Sequence, residues 1–84
     1  MTIQKLIDQT YSYFVGAQGT DLADLYKDDL TDFQTVQSMM GMKDYSGVSV
    51  KIDDMDTDPR EQVVIALASE FGNAFTAKYL GYTI

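Results

Sequence analysis

The sequence has no cysteine and no histidine. Those two absences exclude disulfide staples, thiolate nucleophiles, imidazole acid–base catalysis and nearly all zinc chemistry. Glycine-rich phosphate loops and serine–lysine motifs are missing as well, which leaves a catalytic reading only a carboxylate pair, a lysine, a tyrosine or a bound metal. A chain of 84 residues also has little room for a deep pocket. Non-enzymatic function is the expectation, with no cofactor. Cations are few, six against thirteen acids. A nucleic-acid binder needs cations to meet phosphates, so direct nucleic-acid binding is disfavoured, and an anionic membrane surface for the same reason. The opening run MTIQKLIDQTYSYFVG carries one lysine and is broken by Asp8, Gln9 and Thr10, so it reads as neither signal peptide nor membrane span. A soluble cytoplasmic protein is expected (in the host cytoplasm, if phage-encoded).

What is present is enough for one small domain, residues 1–84. Apolar residues make up 45% and aromatics 12%, which argues against wholesale disorder. A domain of this length has a stability on the order of 4–13 kcal/mol. The net charge of −7 is concentrated: residues 21 to 61 hold eleven acids against four cations, and the rest of the chain is balanced.

The fold class expected from periodicity is mainly α, as α+β, with three to four short helices, a long C-terminal helix and one short strand. Ile3, Leu6, Ile7, Thr10, Tyr11, Tyr13 and Phe14 share a helical face over residues 3–15, capped by Thr2 and stopped near Gly16. A second helix starts at Thr20 or Asp21. Were it continuous to Phe33, Asp29 would interrupt the stripe of Leu22, Leu25, Tyr26, Leu30 and Phe33, so a break near Asp28–Leu30 is expected. TDFQ then restarts a helix over 32–40, with Thr31 as cap, Gln34 as its reciprocal partner and Gly41 as stop. Val48, Val50 and Ile52 alternate with Ser49 and Lys51, the period of a half-buried strand at 48–52. Its partner would be residues 82–84 or a second copy of the chain. The last helix carries Val63, Val64, Leu67, Ala68, Phe71, Ala74, Phe75 and Tyr79 on one face, runs through Gly72 and ends at Gly81.

The densest charge lies in KIDDMDTDPREQ, residues 51–62. Asp54, Asp56 and Asp58 match the first, third and fifth ligands of a calcium-binding EF-hand loop, but Pro59 replaces the turn glycine and Ile65 the terminal glutamate. An EF-hand is excluded, and a looser, weak calcium site is a further alternative. D-P-R-E reads better as a helix start, with Asp58 as cap, Pro59 first and Glu61 completing the capping box. With Asp21 and Asp32 likewise assigned to helix starts, Asp24, Asp28, Asp29, Asp44, Asp53, Asp54 and Asp56 are left over. Tyr26 and Tyr45 lie among them, an interface-like pairing of ring and carboxylate. SMMGM, residues 38–42, adds flexible thioethers that fill a core or line a binding surface.

In size, acidity and helical patterning the chain is similar to acyl carrier proteins, which carry a phosphopantetheine arm on the serine of an Asp-Ser-Leu motif. The nearest run is DDLTDF, residues 28–33, with Thr31 in place of serine. The likeness rests on those general features and does not extend to the motif. The leading expectation is an acidic protein-binding module, most sharply an inhibitor that occupies a basic, nucleic-acid-binding site on a larger protein. Small phage-encoded counter-defence proteins have this general character, an analogy on charge alone. The alternative is a small structural subunit of an assembly such as a phage particle, joined through the 48–52 edge and the methionine cluster.

Overall fold

A computed structural model describes residues 1–82, and among these every regular element is helical. Helix α1 spans Ile3–Gly16, α2 Leu22–Gly41, α3 Tyr45–Asp54 and α4 Thr57–Phe71. A short α5, Asn73–Phe75, continues into a π-helical stretch, Thr76–Leu80. Among the described residues no helix is long and apolar enough to cross a membrane.

Helix α1 begins as its cap predicts, with Lys5 N–H donating to Thr2 Oγ1 at 3.1 Å. Its buried stripe is Ile3, Leu6, Ile7 and Thr10, while Tyr11 and Tyr13 face solvent. The five-residue connection forces α1 and α2 into an antiparallel hairpin. Gln37 Nε2 donates to Gln4 Oε1 at 2.7 Å near one end, and the Tyr13 and Tyr26 rings lie 5.7 Å apart near the other. Helix α4 returns along α1, and its last turn meets the start of α1. There Ile3 N–H donates to Glu70 Oε2 at 3.2 Å and the Met1 ammonium to Ser69 Oγ at 2.8 Å. Phe33, Val36, Val48, Ile52, Val63 and Leu67 form the fully enclosed centre of the core.

Three sequence expectations are overturned. First, α2 is continuous: Thr31 does not cap a new helix but back-bonds to Lys27 O at 3.1 Å, and Asp32 lies mid-helix. A carboxylate in a buried apolar stripe would argue for a break, but that stripe is buried only from Leu30 onward. Leu22 and Leu25 are about half exposed, and Asp29 opens onto a groove rather than the core.

Second, residues 48–52 are helical, so the α+β class becomes all-α for the described residues and the edge for a second copy disappears. Val48 and Ile52 stand four apart, which suits one helix face as well as one strand face, and both are fully buried. Val50 decides the matter: a strand would place it beside them, and it is 62% exposed. Asp44 starts this helix by accepting from Gly47 N–H at 3.1 Å. Accordingly, Ile52→Ala is expected to cost about 2–5 kcal/mol and Val50→Ala under about 0.5 kcal/mol in urea unfolding, an asymmetry a strand would not give. Tyr82 lies outside any strand, and 83 and 84 fall outside the described residues.

Third, the long C-terminal helix divides at Gly72, whose φ of 100° no helix accommodates. The turn redirects the chain so that Thr76 and Leu80 become buried while Phe71 and Tyr79 stay largely outside. The π-helical stretch stops at Gly81, as expected, in the left-handed region at φ 77°.

Candidate acidic groove

The first half of α2 and the α3–α4 connection face each other across an open groove. Two adjoining hollows of about 340 and 470 Å³ occupy it, with Leu25, Asp29, Asp56 and Pro59 common to both. Asp28, Asp29 and Asp32 come from α2, Asp54 and Asp56 from the ends of the connection, and Asp58 from the first turn of α4. Tyr26 lines the larger hollow.

Of the neighbouring cations, Lys51 pairs with one groove acid and Arg60 with none. Lys51 Nζ lies 2.8 Å from Asp32 Oδ1, a partly exposed pair of modest worth. Arg60 turns away from the carboxylates to the end of α3. Its Nε donates to Ile52 O at 3.2 Å, and Nη2 to Asp53 O at 3.0 Å and Met55 O at 2.8 Å. Ile52 O, which also accepts from Met55 N–H, and Asp53 O belong to the last turn of α3 and Met55 O follows it, so Arg60 fixes the backbone that carries Asp54 and Asp56. Replacing Arg60 by alanine is expected to cost about 1–3 kcal/mol in urea unfolding. Arg60→Lys restores little of it, because one ammonium cannot span the three acceptors of the guanidinium fork.

Asp29 senses the convergence most strongly. Partial burial, then the charges of Asp32, Asp28 and Asp56, raise its pKa above the ordinary aspartate value. The folded protein therefore holds this proton more tightly than the unfolded chain does. Stability linked to Asp29 is highest at low pH and declines as pH rises through the folded-state pKa. Asp29→Asn should gain about 0.2–0.5 kcal/mol near neutrality, the size of one exposed like-charge pair at helical spacing. That gain should vanish below the unfolded value, near 3.8, in unfolding curves taken across this range.

Of the seven aspartates left over by the sequence reading, Asp28, Asp29, Asp54 and Asp56 meet in the groove. The other three do not line it. Asp24 lies in the first turn of α2, where the helix dipole favours it. Asp44 is the cap of α3. Asp53 accepts a short hydrogen bond from the Tyr82 hydroxyl, and burial together with that carboxylate raises the tyrosine to about 12. Tyr45 is a packing residue, with Phe75 and Tyr79 ring centroids each 5.2 Å away. Of the SMMGM methionines, Met40 is buried, Met39 half-buried and Met42 exposed.

Asp32 and Asp58, which the sequence assigns to helix starts, belong to the groove instead. The spacing of Asp28 and Asp32, four apart, would have placed both on one face had α2 been read as continuous. Asp58 is not the cap of α4. The helix begins at Thr57 after Asp56, whose side chain makes no capping bond. Among the described residues no cluster of three or more acids is disposed to hold a metal ion. Comparison with protein-family models, curated proteins and solved structures finds no match for this chain.

Proposed function

We propose that this protein is a non-enzymatic binding module that lodges its acidic groove against a basic, nucleic-acid-binding site on a larger protein and blocks it. The observation that carries this reading is the convergence of Asp28, Asp29, Asp54 and Asp56 in one open groove. Two of the four are placed against local stability. Asp54 sits at the negative end of the α3 dipole, and Asp29 faces three like charges. Acids kept where they cost stability are accounted for by a cationic partner that relieves the cost on binding. Opposed carboxylates on two walls offer a cationic segment partners on both sides. With the 48–52 strand gone, nothing favours assembly through a sheet edge.

The test compares the tagged protein with its Asp28→Asn, Asp29→Asn, Asp54→Asn, Asp56→Asn variant as bait in a lysate at low and high salt. A basic nucleic-acid-binding protein should be retained by the original chain at low salt only, released by duplex DNA and missing from the variant. Retention of the same proteins by both baits, or retention that DNA does not disturb, would refute the proposal.

A further inference from the structure

A third hollow of about 350 Å³ lies between the end of α1 and the start of α2, lined by Tyr13, Leu22 and Tyr26 among others. Tyr26 also lines the larger acidic hollow, as does Leu25, one helical turn on from Leu22. The three hollows thus form one trough along α2, apolar at the helix start and acidic from Asp28 onward. Leu22 is 52% exposed, Leu25 48% and Tyr13 51%, so the apolar end is not covered by this chain.

We infer that the trough receives an amphipathic cationic segment of the partner protein, its apolar side chains on Leu22 and Leu25 and its arginines against Asp29 and Asp56. The inference rests on the proposed acidic-site binding and specifies the element that would be bound. Charge complementarity chooses a cationic occupant, and the uncovered leucines require that it be apolar at one end. From Leu22 to Asp32 the trough follows α2 for roughly 15 Å, about three helical turns. Arginine suits it better than lysine, since the guanidinium forks onto a carboxylate and stacks on a ring such as Tyr26.

The test uses two labelled synthetic peptides of equal charge: an amphipathic helix of about three turns with leucines toward one end and arginines toward the other, and an oligo-arginine. The amphipathic peptide should bind about tenfold more tightly, because the exposed halves of two leucines become buried. Leu22→Ser with Leu25→Ser should remove that advantage and leave oligo-arginine binding unchanged. Leu22→Ala with Leu25→Ala, which keeps helix propensity, should do the same, with circular dichroism confirming the fold. Asp29→Asn with Asp56→Asn should weaken both peptides. Equal binding of the two peptides, or leucine variants without effect, would overturn the amphipathic inference while leaving the acidic-site reading intact. Binding that is absent, or indifferent to the aspartate substitutions, would overturn both.

Discussion

The Asp28→Asn, Asp29→Asn, Asp54→Asn, Asp56→Asn variant is expected to lose roughly one to three powers of ten in affinity for its basic partner while folding at least as stably as the original. Each exposed charge pair in such an interface contributes about 0.2–1 kcal/mol, so four together are worth about 1–4 kcal/mol. Loss of steering adds a slower association, visible as a flatter salt dependence of the on-rate. Stability moves the other way for reasons local to each site. Asn at 54 withdraws a negative charge from the end of α3; Asn at 56 gives up a charge that the start of α4 favours, but forfeits no side-chain cap and offsets little of that gain. Substitution at 28 and 29 removes repulsion along α2 and across the groove. The opposite signs matter. A purely solubilising acidic surface would share the gain in stability but show no specific loss of binding, and a folding defect would lower both. Titration calorimetry against the captured partner, run beside urea unfolding, separates the three outcomes.

Phe33→Ala is expected to be the most damaging single truncation. Phe33 is 1% exposed and the largest of the fully buried side chains. It lies on the middle of α2, the helix that packs on both α1 and α3. Removing a buried phenylalanine costs about 3–5 kcal/mol, the transfer term plus the cavity left behind. Against a total on the order of 4–13 kcal/mol, that is a large share or all of the stability. The melting temperature should fall by about 15 °C or more, or the cooperative transition should vanish. Binding should fail in proportion to unfolding, since the acidic groove depends on α2 being held against α3 and the connection to α4.

How much of this was legible follows from particular residues. Some caps and stops that act through one residue were readable, since Thr2 begins α1, Gly41 ends α2 and Gly81 closes the π-helical stretch, whereas Thr31 and Asp58 are not caps. Residues 48–52 were not, because Val48 and Ile52 satisfy both periodicities and only the exposure of Val50 distinguishes them. The continuity of α2 was hidden because Leu22 and Leu25 look like core residues, whereas both are about half exposed. The surplus of aspartates is a property of composition and was legible as such. Which of them meet is a property of packing: the closing of the α3–α4 connection against α2 gathers Asp54 and Asp56 and leaves Asp53 with Tyr82. Nothing local to the sequence marks Arg60 as the residue that bonds three carbonyls there.

The most direct measurement is the titration of individual aspartate carboxyl carbons by NMR, in the original chain and in Asp56→Asn. If the carboxylates of α2 and of the α3–α4 connection share one groove, Asp29 will titrate above the usual aspartate range and move down when residue 56 loses its charge. An Asp29 that titrates at or below that range, and ignores the substitution 27 positions away, would mean the two acidic segments do not meet.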